Sequence, residues 1–163
     1  MSGVTGLTVM GYHQFCEAMI RQAKALGSDV LREAQDAYPS DSTQQEFDMQ
    51  YPVALALAAE VVPQRFDAIL VDEAQDFGDE YWLGLELLLK DPTSSYFYVF
   101  IDENQRLYER RSTIPVQEEP FYLTYNCRNT APIHGLAYRY YSGDAVDPPD
   151  LLGPDIAWVS TTA

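Results

Sequence analysis

The chain has 163 residues, of which 25 are Asp or Glu and 10 are Lys or Arg, giving a net charge of −15. That balance excludes an autonomous, sequence-blind nucleic-acid binder, which gains affinity by neutralising phosphates with cations, but leaves room for an acidic part of a larger nucleic-acid machine. Hydrophobic residues make up 47%, the composition of a globular domain rather than of a disordered acidic tail.

The longest uncharged apolar stretch starts at Tyr51 and ends at Glu60, far short of a membrane span. The N-terminal residues lack the basic-then-apolar pattern of a signal peptide. Cys16 and Cys127 build neither a disulfide framework nor a metal-ligand pair, and both read as buried thiols. The expectation is a soluble, cytoplasmic protein with no membrane partner.

In chain order, residues 7–10 are a short apolar run and a candidate strand. Residues 13–26 read as a helix, with Phe15, Ala18, Met19 and Ala23 near a spacing of 3.6, and Gly27 closes it by permitting a positive φ. Residues 28–51 are polar around Pro39, which suits a loop or a small insertion with a weak helix. Residues 53–62 are rich in Ala and Leu and read as a helix stopped by Pro63. Residues 66–71 form an apolar run broken only by Asp67, the pattern of a strand buried on both faces of a parallel sheet.

Residues 80–89 predict a helix with Asp79 as N-cap, and residues 96–101 repeat the buried-strand pattern. Residues 121–124 predict a third strand, and residues 131–141 a further helix. After Pro148, Pro149 and Pro154, residues 156–160 are again strand-like, without an evident pairing partner in the chain. Strands alternating with helices predict an α/β architecture, a parallel sheet flanked by helices.

The chemistry concentrates at the strand ends. Val71 leads directly into Asp72, Glu73, Ala74, Gln75 and Asp76. Two adjacent carboxylates at the C-terminal end of a buried strand suit an Mg²⁺ held against a nucleotide, because Mg²⁺ keeps most of its waters and takes one or two carboxylates. In open α/β sheets ligands bind beyond that end of the strands. An acidic pair in this place is also the ordinary polar turn before a helix. The second strand ends likewise, in Asp102, Glu103, Asn104, Gln105, Arg106, Leu107 and Tyr108.

The segment from Asp72 to Asp76 resembles motif II, the Walker B signature, of the UvrD/Rep/PcrA type of superfamily one DNA helicases. Asp102 through Tyr108 resembles motif III of that family, and Tyr125, Asn126, Cys127 and Arg128 resemble motif IV, in the same order and at similar separations. Tyr12, His13, Gln14, Phe15 and Cys16 are similar to the family segment that precedes motif II. The resemblance implies an ATP-dependent helicase that unwinds DNA, with Mg²⁺ and ATP as cofactors and single-stranded DNA as partner. Asp72 would hold the Mg²⁺, and Glu73 would be the base that activates water. Gln105 would sense the γ-phosphate, and Arg128 would stabilise transition-state charge on it. Gln75 and Asp76 would link the ATP site to motif III, and Tyr108 would stack on a DNA base. Tyr108 also reads as a packed aromatic, Arg128 as the partner of a surplus carboxylate, and His13 as a structural histidine.

The phosphate-binding loop of such an ATPase needs a Gly-Lys pair, whereas the two lysines follow other residues, Lys24 after Ala23 and Lys90 after Leu89. Motifs V and VI are also missing. Gly11 replaces a threonine that touches DNA in the family, and Arg110 replaces a second stacking aromatic. The expectation is therefore a middle slice of a helicase, a partial RecA-like sheet incomplete at both ends. Residues 1–118 would be the later part of the first RecA-like domain, with a short 1B-like insertion at about 28–52. Residues 119–163 would begin the second. Alone, such a chain would bind no nucleotide tightly, and a complementary helicase segment is a candidate partner. The alternative reading is a catalytically silent helicase-like protein that binds a partner. A two-metal nuclease site built on the same acids is a further reading, set aside because their order follows the helicase motifs.

Overall fold

The computed structural model describes residues 6–40, 42–102, 113–143 and 145–157. The chain divides into two compact units, Met1–Val116 and Gln117–Ala163. Among the described residues no helix is long and apolar enough to cross a membrane.

The first unit opens with residues 7–10 in an irregular, exposed segment, not the expected strand. Helix α1 follows at Tyr12–Ala25. Its start is held by Gln14, whose Oε1 accepts the Gly11 N–H at 3.2 Å. Its end is closed at Gly27, where φ is +94° and the Ser28 N–H returns to the Ala23 carbonyl at 3.0 Å.

The polar stretch after it is more ordered than its composition suggests. It contains α2 (Val30–Ala37), the single turn α3 (Thr43–Gln45) and a wide π-type turn (Glu46–Gln50) that runs into α4 (Tyr51–Val61). The reason is tertiary. Val30 and Ala34 of α2 are buried in the core, and the buried Gln50 amide donates to the Tyr38 carbonyl at 2.7 Å, pinning the insertion to the helix behind it. Helix α4 is apolar on nearly every side and packs among α1, α2 and α5 (Glu80–Leu87), as an all-round apolar helix must. Arg65 finishes it, donating to the carbonyls of Ala59, Val62 and Gln64 at 2.7 to 3.0 Å and so satisfying groups that a helix end leaves open.

Strands β1 (Ala68–Val71) and β2 (Tyr96–Val99) pair in parallel, Ala68 opposite Tyr96 and Val71 opposite Val99. Their connection passes through α5, the βαβ arrangement that parallel pairing requires. Ile69, Val71, Phe97 and Val99 face the helical core. The other face is open: Leu70 and Tyr96 are each 62% exposed, with Tyr98 beside them. The expected strand buried on both faces is thus covered on one only. The sequence pattern reports how apolar a strand is, and covering it takes elements beyond these two strands.

Asp79 is not the expected N-cap. It already has helical backbone angles and makes no capping bond, and its Oδ1 accepts the Thr113 N–H at 2.6 Å instead.

In the second unit residues 121–124 form no strand, and among the described residues pairing is limited to a parallel bridge between Tyr125 and Asp147. Helix α6 covers Ala131–Ala137 and tightens into a 3₁₀ turn at Tyr138–Tyr140. Residues 156 and 157 are irregular, and the rest of that expected strand lies outside the described residues. The fold is mixed α/β, with a small two-stranded parallel sheet and helices beside it.

Candidate functional site

The end of β1 is tied to the end of β2 past the strands themselves. The Phe100 N–H donates to the Val71 carbonyl at 2.8 Å, and the Ala74 N–H donates to the Phe100 carbonyl at 3.0 Å. Between these bonds the chain must turn sharply, and Glu73 does so with φ +53° and ψ +39°. It is the one non-glycine among the described residues with a positive φ. A glutamate in the left-handed region has a Cβ too close to its carbonyl, a cost of roughly 1–2 kcal/mol that surrounding bonds must offset.

Those bonds are visible. Asp72 Oδ1 accepts the Glu73 N–H at 3.0 Å. The buried Gln75 side chain bridges two elements: its Nε2 donates to Glu73 Oε2 at 2.6 Å, and its Oε1 accepts the Asp102 N–H at 3.0 Å. The carboxylates of Asp72 and Glu73 are both exposed and join no ion pair among the described residues. Asp76 turns inward, with Oδ1 buried and, among the described residues, without a hydrogen-bond partner. Leu70, Asp72 and Phe100 line a shallow depression beside this cluster.

Four of the expected residues, Asp72, Glu73, Gln75 and Asp76, therefore share one turn, and Gln75 reaches Asp102. Gln105 and Tyr108 lie outside the described residues. Arg128 belongs to the second unit, is exposed, and makes no side-chain bond to any described residue.

The donor set suits a hard cation bound through water. Asp72 offers an exposed carboxylate, and an Mg²⁺ that keeps its waters needs only one or two. No cluster of three or more His, Cys, Asp or Glu able to enclose a metal occurs among the described residues. The phosphates of a nucleotide are a different matter. Lys24 is paired with Asp29 at 3.3 Å and Lys90 with Asp67 at 3.0 Å, at the opposite end of β1. Neither lysine bonds to a residue of this turn, so the turn itself offers a ligand for the metal and no cation for the phosphates.

Elsewhere in the first unit, His13 behaves as a structural histidine. Its Nε2 meets the Phe47 carbonyl at 3.1 Å, and its ring lies against Tyr12, Phe47, Tyr51 and Tyr81. Tyr12 stacks on Tyr81 at 4.4 Å, and burial pushes its phenol far above the usual range. Burial likewise pushes the Cys16 thiol up to about 12. Cys127 is exposed, contrary to expectation, and lies in a loop whose residues 121–125 and 128 are exposed as well.

Asn126, which entered the sequence reading only as part of the motif IV resemblance, and His134, which that reading passed over, together hold the turn before α6. The available signal was an asparagine two positions before Arg128, a spacing at which the side chain caps a following turn. Compared with family models, with curated proteins and with solved structures, the chain finds no match.

Proposed function

We propose that the chain is part of an ATP-dependent, UvrD-like DNA helicase of RecA-like fold and carries the carboxylate half of an Mg²⁺-nucleotide site. The observation that carries this reading is the turn after β1. Asp72 and Glu73 sit at the C-terminal end of a parallel strand, Glu73 is held in a strained left-handed backbone, and Gln75 ties it to the end of the neighbouring strand. Strain maintained by dedicated hydrogen bonds is characteristic of chemical sites rather than of solvated turns.

In this reading Asp72 holds Mg²⁺ through water, and Glu73 accepts a proton from the water that attacks the phosphoryl group. Arg128 contacts a phosphoryl oxygen. The cations that would cradle the phosphates come from residues other than the two lysines, and the chain alone is not expected to hydrolyse ATP.

The test is Mn²⁺, an Mg²⁺ surrogate, added to the ¹⁵N-labelled chain. Paramagnetic broadening confined to the amides of residues 72–76 and 100–102, and abolished by Asp72→Ala, is the expected result. Uniform or absent broadening at millimolar Mn²⁺ would remove the metal assignment. Calorimetry with a non-hydrolysable ATP analogue adds a second check. Tight binding that vanishes in Asp72→Ala would mean that the chain has its own phosphate cradle.

A second reading, a catalytically silent module that binds a partner, draws on the uncovered sheet face of Leu70, Tyr96 and Tyr98. Retention of that face with no metal response at Asp72 would favour it.

A further inference from the structure

The Asn126 side chain makes three hydrogen bonds to described residues of the second unit. Its Oδ1 accepts the N–H groups of Arg128 and Asn129, each at 3.1 Å. The Asn126 backbone N–H donates to the Asp147 carbonyl at 3.1 Å, and the Asp147 N–H returns to the Thr124 carbonyl, which anchors the turn to the bridge at Tyr125. The two N–H donors fix which end of the amide is oxygen. The NH₂ group therefore faces His134 Nδ1, at 3.0 Å.

An amide NH₂ only donates, so Nδ1 must present its lone pair and the neutral ring must carry its proton on Nε2. His134 lies in the first turn of α6, its N–H bonded to the Thr130 carbonyl at 2.9 Å. Among the described residues the groups that meet its imidazole are the Asn126 amide, from the preceding loop, and the Tyr138 ring, stacked one turn later at 5.3 Å. No carboxylate or guanidinium bonds to it there.

We propose that Asn126 and His134 act as one positioning unit for Arg128, set by which imidazole nitrogens carry a proton. The Arg128 guanidinium makes no bond to a described residue, and what the turn fixes is the point and direction in which that side chain leaves the chain, because Asn126 Oδ1 holds the Arg128 backbone N–H. Protonating Nδ1 puts an N–H against an NH₂. Turning the amide over gives His134 an oxygen but faces the NH₂ toward two backbone N–H groups. Swinging the imidazole away leaves the amide without its acceptor. Either response loosens the turn. The turn is therefore set while His134 is neutral and slackens when Nδ1 takes up a proton. The consequence for phosphate contact rests on the proposed role of Arg128, while the pairing itself does not.

The experiment uses the full ¹⁵N-labelled chain, with His134→Gln separating the ring signals of His134 from those of His13. Long-range imidazole correlations at neutral pH should show His134 as the Nε2–H tautomer, and an Nδ1–H tautomer would overturn the proposal. Amide exchange at Arg128 and Asn129, corrected for intrinsic rates, should quicken about fivefold between about pH 8 and pH 5, the effect of one net hydrogen bond. His134→Gln, whose side chain can still accept from the NH₂, should remove that pH dependence and keep the protection. Asn126→Asp should reverse the dependence, because a carboxylate accepts from both backbone N–H groups and pairs with an imidazolium. The same pH response in His134→Gln as in the parent chain would overturn the proposal. Added pyrophosphate separates the two layers: if the tautomer and exchange results hold while the Arg128 signals ignore pyrophosphate, the positioning unit stands and the phosphate role of Arg128 fails.

Discussion

Replacing Gln75 tests the candidate site most directly, because one side chain there supports two elements. Gln75→Ala removes a short bond to the Glu73 carboxylate, 2.6 Å, and the acceptor of the Asp102 N–H, 3.0 Å. A hydrogen bond to a charged group contributes about 1.5–3 kcal/mol, and the exposure of Glu73 to water places this one at the low end. Loss of the acceptor at Asp102 adds about 1 kcal/mol where water can reach the group. The expected destabilisation is therefore about 2–3 kcal/mol. Gln75→Glu is a sharper case. Its oxygen can still accept the Asp102 N–H, but a second carboxylate then stands against Glu73, and two like charges about 4 Å apart repel by about 4 kcal/mol at an effective dielectric of about 20. Glu73 relieves part of that by swinging into water. At pH 7 Gln75→Glu should be at least as destabilised as Gln75→Ala, and it should recover as the pH falls and one carboxyl of the pair protonates. Urea midpoints at constant slope measure the stabilities, and amide exchange at Asp102 reports the bond itself. A Gln75→Glu midpoint equal to that of the parent chain at pH 7, or unchanged Asp102 exchange in Gln75→Ala, would refute the bridge.

The left-handed turn predicts an order at position 73: Glu73→Gly should be more stable than Glu73→Ala by about 1 kcal/mol in urea unfolding, since glycine adopts that backbone without cost, and the opposite order would show that the turn relaxes. Gly84→Ala should destabilise by about 1–2 kcal/mol despite the better helix propensity of alanine, because the new Cβ would lie 2.7 Å from Leu55 Cγ and 3.1 Å from the Ala56 nitrogen. Near-UV circular dichroism of the urea transition measures it, and a gain in stability would mean that α4 and α5 have room to part. At pH 8 a disulfide reagent should titrate Cys127 quickly and Cys16 only after unfolding, since Cys127 is exposed and burial pushes the Cys16 thiol up to about 12. For the same reason stability should fall as the pH rises from 9.0, the ordinary value, toward 12, where the unfolded thiol ionises and the native one does not. Two fast equivalents of thiol at pH 8 would refute the burial of Cys16.

What the sequence by itself determined are the features encoded over a few residues. The helix that Gly27 closes, the apolar α4, the two strands ending in acids and the α/β alternation all follow from periodicity and local backbone preference, and each is present. The grouping of Asp72, Glu73, Gln75 and Asp76 in one turn follows from their adjacency. Tertiary structure decided everything that depends on distant neighbours. The polar insertion became helical because Val30 and Ala34 found a core, and Asp79 gave up its cap for the Thr113 N–H. One face of β1 and β2 stayed open because an apolar pattern cannot supply the element that covers it. The bond from Gln75 to Asp102 spans 27 positions, and the pairing of Asn126 with His134 joins a loop to a helix. A hydrogen bond depends on direction and distance in space, and residue order determines neither until the strands and helices have packed.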